Sequence, residues 1–171
     1  RVNPSINRAL LAGVVLSIAT ALASAQAINV DIGPFSPLSP FGTPSAAFGA
    51  ASGQVGVWNS INAPSAQSGS FPIVGVGGAA TGVRLTAAAA PGFAISDFSF
   101  NNSATPAGSD VEKLLDDLCD SGTSTWTFNG LSNGQYDVYV YAWAPDARTT
   151  FFTDVSVTGG SAGVVTVGGS G

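Results

Sequence analysis

Apolar and polar side chains alternate at a period of two through much of this chain, and the alternation predicts a series of short strands. "INVDIG" at 28–33 sets Ile28, Val30 and Ile32 against Asn29 and Asp31, the pattern of a half-buried strand. "PFSPLSPFGTP" then places four prolines within 11 residues, which excludes a central strand and predicts a long surface connection. An Ala- and Gly-rich stretch ends in "VGVWNSI" at 55–61, a short strand. "FPIVGVGG" and "GVRLTAAA" read as a strand pair joined by "GGAATG", whose glycines supply positive φ values. "FAISDFSFNN" is apolar at Phe93, Ile95, Phe98 and Phe100, a change of parity that predicts a bulge near Ser96 or Asp97.

One segment has helical spacing instead. In "SDVEKLLDDLCD", Val111, Leu114, Leu115 and Leu118 share a face, Ser109 and Glu112 make a capping box, and Gly122 ends the helix, whose outer face carries Asp116, Asp117 and Asp120. The strongest strands follow as "STWTFNG" and "QYDVYVYAWA", with "FFTDVSVTGG" and "GVVTVGG" closing the chain. No internal repeat is evident. Short strands separated by turn signals, with a single short helix near residues 110–119, describe an all-β chain folded as an antiparallel β-sandwich.

The N-terminus changes the picture of what folds. Arg1 and Arg8 precede "ALLAGVVLSIATALA", and "ASAQA" at 23–27 offers the small residues of a cleavage site, so residues 1–27 read as a secretory signal peptide. The apolar run is about 15 residues, short of the roughly 18–20 that a spanning helix needs. Cleavage before Gln26 or Ile28 leaves about 145 residues, which suits one domain over 28–171 with its own core and no membrane span. The closing "GVVTVGGSG" stops just past a strand, as a chain truncated at its C-terminus would.

The 171-residue chain has ten acidic and five basic residues; loss of Arg1 and Arg8 leaves Arg84, Lys113 and Arg148 and a net charge of about −7. Three cations cannot neutralise a run of phosphates, which removes nucleic acid and anionic lipid as partners. Cys119 stands alone, so no internal disulfide forms, and a small buried residue on the helix is its simplest role.

"TWTFNGLSNGQYDVYVYAWAPD" at 125–146 concentrates the aromatic rings. Asn133–Gly134 fits a tight hairpin turn. Beyond it Tyr136, Val138, Val140 and Ala142 point one way, and Asp137, Tyr139, Tyr141 and Trp143 the other. Leu131, Gly134, Tyr136 and Val138 resemble a tyrosine corner, with the Tyr pinning the turn and the valines inward, so the first face reads as core. The second face has two readings: a further packed layer, or a stacking platform for a sugar ring with Asp137, and Asp146 or Arg148, as hydrogen-bonding partners. Trp126 and Phe128 read as core, whereas Trp58, among loop-like neighbours, is a candidate to border a pocket. The candidate ligand-binding residues are therefore Tyr139, Tyr141, Trp143, Asp137 and Trp58.

Catalytic signatures are weak. "GGSAG" at 159–163 matches G-x-S-x-G, but the chain has no His to act as base. "GVGGAA" at 75–80 approaches a dinucleotide fingerprint with no βαβ unit around it, and reads as a glycine turn. Lack of His, with one Cys, removes zinc, haem and most transition-metal sites, and no cofactor is expected. Calcium stays open, because Asp31, Asp97, Asp137, Asp146 and Asp154 supply carboxylates, although solvated surface aspartates explain them more simply. Glu112 is the only Glu and caps the helix, so a glycosidase pair would have to be two aspartates. The expectation is no enzymatic activity.

At "INVDIG", "GVWN", "SDVEKLLDDL" and "TWTFNGLSNGQYDVYVYAWAPD" the chain resembles a group of uncharacterised secreted bacterial proteins of planctomycete type. The resemblance implies a galactose-binding-like or jelly-roll sandwich, an extracellular or cell-surface location and, by analogy only, carbohydrate association. Two functions are carried forward: a secreted non-enzymatic module that binds carbohydrate or another extracellular polymer, and a structural or adhesive cell-surface component that self-associates.

Overall fold

The computed structural model describes residues 26–32, 42–61, 68–89, 97–99, 105–115, 117–119, 123–141 and 152–168. Nine strands, one α-helix and a 3-10 turn at Ala50–Ser52 lie in these segments; the strands and the α-helix run in the order β1 (Asn29–Ile32), β2 (Trp58–Ile61), β3 (Ser68–Val74), β4 (Ala80–Ala89), β5 (Asp97–Ser99), α1 (Asp110–Leu115), β6 (Asp117–Cys119), β7 (Ser124–Asn129), β8 (Phe152–Val155) and β9 (Val165–Gly168). They form four small sheets, β1–β2, β3–β4–β7, β5–β6 and β8–β9. The ordered elements of the described residues are thus mostly strands, with one short α-helix, as the alternation predicts.

Three of the sheets are antiparallel, but β1 and β2 pair parallel, with Asn29 opposite Trp58 and Ile32 opposite Ile61. A parallel pair needs a long crossover, and the chain from 33 to 57 supplies it. The expected half-buried alternation of β1 is also reversed. Asn29 and Asp31 are buried, while Val30 and Ile32 are half-buried against the core. Burial of Asn29 is tolerated because its amide exchanges bonds with Gln54, donating to the Gln54 carbonyl at 3.1 Å and accepting from Gln54 Nε2 at 3.2 Å.

The core draws on the three-stranded sheet and the parallel pair. Ile61, Ile73, Val83 and Leu85 are buried together, with Ile28, Val30, Phe71, Trp126 and Leu131 packed around them. Along β4 the expected period of two holds, since Val83, Leu85 and Ala87 are buried and Arg84 and Ala88 are exposed. Pro72 is accommodated because β3 is an edge strand, and the register slips between Pro72 and Val74. At that slip the Asn59 side chain takes the place of a strand partner. Asn59 Oδ1 accepts from the Val74 N–H at 2.8 Å, and Asn59 Nδ2 donates to the carbonyls of Val74 and Asn29, each at 2.9 Å. One buried amide therefore ties the parallel pair to β3.

The helix begins as its capping box predicts: Glu112 N donates to Ser109 Oγ at 3.1 Å. The Glu112 carboxylate, itself buried, accepts from the Gly108 N–H, one residue before the cap. The helix ends at Leu115, however, and residues 117–119 form β6 against β5 rather than continuing to 119. The charges explain this: Asp110 and Glu112 favour the first turn, whereas Asp116, Asp117 and Asp120 would crowd negative charge at the negative end of a longer helix. Val111, expected on the apolar face, is exposed.

Candidate functional site

The aromatic segment starts as the tyrosine-corner pattern suggests. Leu131 packs on the core, and the Tyr136 hydroxyl donates back to the Ser132 carbonyl at 2.8 Å. Beyond that point the expected strand is not formed: no strand is assigned over the described residues 131–141. Alternation defines two faces, but a strand also needs a neighbour to complete its ladder. Val138 and Val140, expected as core, are 56% and 45% exposed.

What lies beside them is a groove of about 310 Å³. One wall is Tyr136, Val138 and Val140; the other is the β8–β9 hairpin with Val155, Val157, Val165 and Val167, and Gly160 to Gly163 close the end. Gly159 takes a positive φ of 79° in the turn between the two strands, where a side chain would be strained. Asp137 is the only ionisable lining residue other than Tyr136. Ser161 of "GGSAG" also lines it, but lies between two strands, so the strand-to-helix turn of a nucleophile elbow is lacking. The groove has valine walls, one carboxylate and no base; its chemistry is apolar contact.

The candidate ligand residues do not converge on it. Asp137 lines the groove, Tyr139 is 55% exposed outside its lining, and Tyr141 is half-buried, its hydroxyl accepting from the Ser52 N–H at 3.3 Å. Trp58 is buried, stacked on Phe48 with ring centroids 6.2 Å apart, and its indole N–H donates to the Phe48 carbonyl at 3.0 Å. Its ring and its one donor are thus taken up by Phe48, and it does not line the groove beside Val138 and Val140. Trp143, Asp146 and Arg148 lie outside the described residues. Trp126 packs on the core, but Phe128, expected there too, is 39% exposed on the edge strand β7.

A second polar cluster sits at the start of α1. The Ser45 N–H and hydroxyl donate to the two oxygens of Asp110 at 2.9 and 2.6 Å, and Lys113 Nζ lies 3.2 Å from Oδ1. The Ser45 hydroxyl, then its N–H, and to a lesser degree Lys113, hold the Asp110 carboxyl below its ordinary value against a small opposing effect of burial. These contacts fasten the 42–48 loop to the helix and bring no further acid, base or nucleophile with them. Among the described residues no group of three or more His, Cys, Asp or Glu side chains is placed to hold a metal ion. No helix among them is long and apolar enough to cross a membrane.

Sequence reasoning overlooked the hairpin wall of the groove. Its signal was present, since Val155 and Val157, and again Val165 and Val167, recur at a period of two, the second pair within β9 and the first running from the end of β8 into its turn. The bridging role of Asn59 left no comparable trace. No family model, curated protein or solved structure matches this chain.

Proposed function

We propose that the chain is a secreted, non-enzymatic β-sandwich module, of galactose-binding-like or jelly-roll type, that acts as a structural or adhesive component of the cell surface by associating with copies of itself. The observation that carries this reading is the valine-walled groove between residues 136–140 and the β8–β9 hairpin. Val138, Val140 and Val165 are each about half exposed there, an arrangement that favours apolar association. Two features support a second copy as the occupant. The edges of β8 and β9 carry no lysine to block strand addition, because the only lysine is Lys113 on α1. A groove with one carboxylate also accepts another apolar surface at little electrostatic cost.

The test is sedimentation velocity of residues 26–171 over a hundredfold range of concentration, beside Val138→Lys and Val165→Lys. Concentration-dependent dimers or higher species that both variants abolish are expected. A monomer at every concentration overturns the reading. Binding of carbohydrate or another extracellular polymer is the second reading, and the exposed Tyr139 ring two positions from Asp137 favours it. A soluble glycan whose binding Tyr139→Ala removes, with the groove variants unaffected, would move the function to that face.

A further inference from the structure

Two A-x-A triplets overlap in "ASAQA": Ala23–Ser24–Ala25, which directs cleavage before Gln26, and Ala25–Gln26–Ala27, which directs it before Ile28. The spacing alone does not choose between them, but the folded chain uses both Gln26 and Ala27, which a mature chain starting at Gln26 retains and one starting at Ile28 lacks. Gln26 Oε1 accepts from the Ser132 N–H at 3.1 Å, a contact across 106 positions of sequence. The Ala27 carbonyl accepts from the Val76 N–H at 3.0 Å, and a Cβ at Gly75 would lie 3.6 Å from that same oxygen. Ser132 and Val76 are half-buried, so cutting before Ile28 would strip both N–H groups of their partners. It would also set a new ammonium group beside the buried Asn29.

We propose that the leader is removed between Ala25 and Gln26, and that the newly terminal Gln26 then closes to pyroglutamate. The inference rests on the secretion reading above. In the closure the α-amine nitrogen attacks Cδ of the same residue and a C–N bond forms. The Cδ–Nε2 bond breaks, a proton passes from the amine to the departing nitrogen, and ammonia leaves. No oxidant, reductant or second substrate is required. Oε1 becomes the lactam oxygen and remains an acceptor of the kind the Ser132 N–H already uses. That same N–H is aimed at the oxygen on which negative charge gathers as the amine adds, and so assists the step.

The experiment is export of the full 171-residue chain from a secreting bacterial host, followed by mass spectrometry and N-terminal sequencing of the exported protein. A first peptide that begins at residue 26, lighter by one ammonia and closed to sequencing until treated with pyroglutamyl aminopeptidase, is the expected result. A terminus at Ile28, or an uncyclised Gln26, overturns the inference and leaves secretion intact. A chain still carrying Arg1 and retained in the cell overturns both. Gln26→Ala should be cut at the same bond, lose no ammonia and sequence directly; a shift of its cut to Ile28 would also count against the assignment.

Discussion

Asn59 offers the sharpest test of how the parallel pair is joined to the three-stranded sheet. Asn59→Ala removes one buried side chain and three hydrogen bonds, leaving the Val74 N–H and the carbonyls of Val74 and Asn29 without these partners. A buried donor left unpaired costs about 1–3 kcal/mol. Carbonyls retain a second lone pair and cost less, and Val74 is only half-buried, so water recovers part of the loss. The sum is about 3 kcal/mol, a large share of the roughly 5–15 kcal/mol by which single domains are stable. At a urea slope near 2 kcal/mol per molar, the unfolding midpoint falls by about 1.5 M with the slope unchanged. A fall below about 0.3 M would refute the bridging argument. Asn59→Asp adds an independent check. It keeps an acceptor for the Val74 N–H but turns an oxygen toward two carbonyls, so the ionised form is disfavoured in the folded state and its carboxyl is raised. Folding then takes up a proton, and this variant alone should gain stability as pH falls from 7 toward 4.

Leu85→Ala, in the fully buried centre of β4, should cost about 2–5 kcal/mol in the same denaturation assay, whereas Val164→Thr, 68% exposed, should stay within about 0.5 kcal/mol. Because Asp110 is held below its ordinary value, the stability it contributes is present above the unfolded carboxylate pKa and is lost as pH falls through the folded one. Ser45→Ala removes the hydroxyl, its largest support, and should flatten the acid limb of melting curves taken between about pH 5 and 2; superimposable curves would sink the account. Trp58 should resist acrylamide quenching in a variant that retains it as the only tryptophan, and Phe48→Ala should raise its quenching at least twofold; no change would mean that the stack does not shield the ring.

Much of the strand content was legible, because β1, β2, β3, β4, β7, β8 and β9 each overlap a run with period-two alternation or a β-branched core. The cap at Ser109 was legible for a similar reason, as the bond from Glu112 N to Ser109 Oγ spans only three residues. The failures share a cause. Whether β1 pairs parallel or antiparallel depends on Trp58 to Ile61, about 30 positions away, and no local pattern encodes it. The run after Gln135 has the alternation of a central strand, yet alternation describes side chains while a ladder is made by backbone neighbours. Helical spacing continued through Leu118, but the aspartates beyond Leu115 carried the opposing electrostatic signal. Of the candidate site, Asp137 and Tyr139 are accessible, while Trp58 looked loop-bound only because Phe48, ten positions earlier, could not be seen to fold back on it.

The contacts of the first described residues have a consequence for the order of events during synthesis. Gln26 is held by Ser132, Ala27 by Val76, and Asn29 to Ile32 lie along Trp58 to Ile61. This early segment thus waits for residues made much later, and the last of these bonds cannot close until the chain has grown past position 132. Residues 26–32 therefore stay without their full set of partners while the stretch up to position 132 is still being made, and their order is among the last to be established.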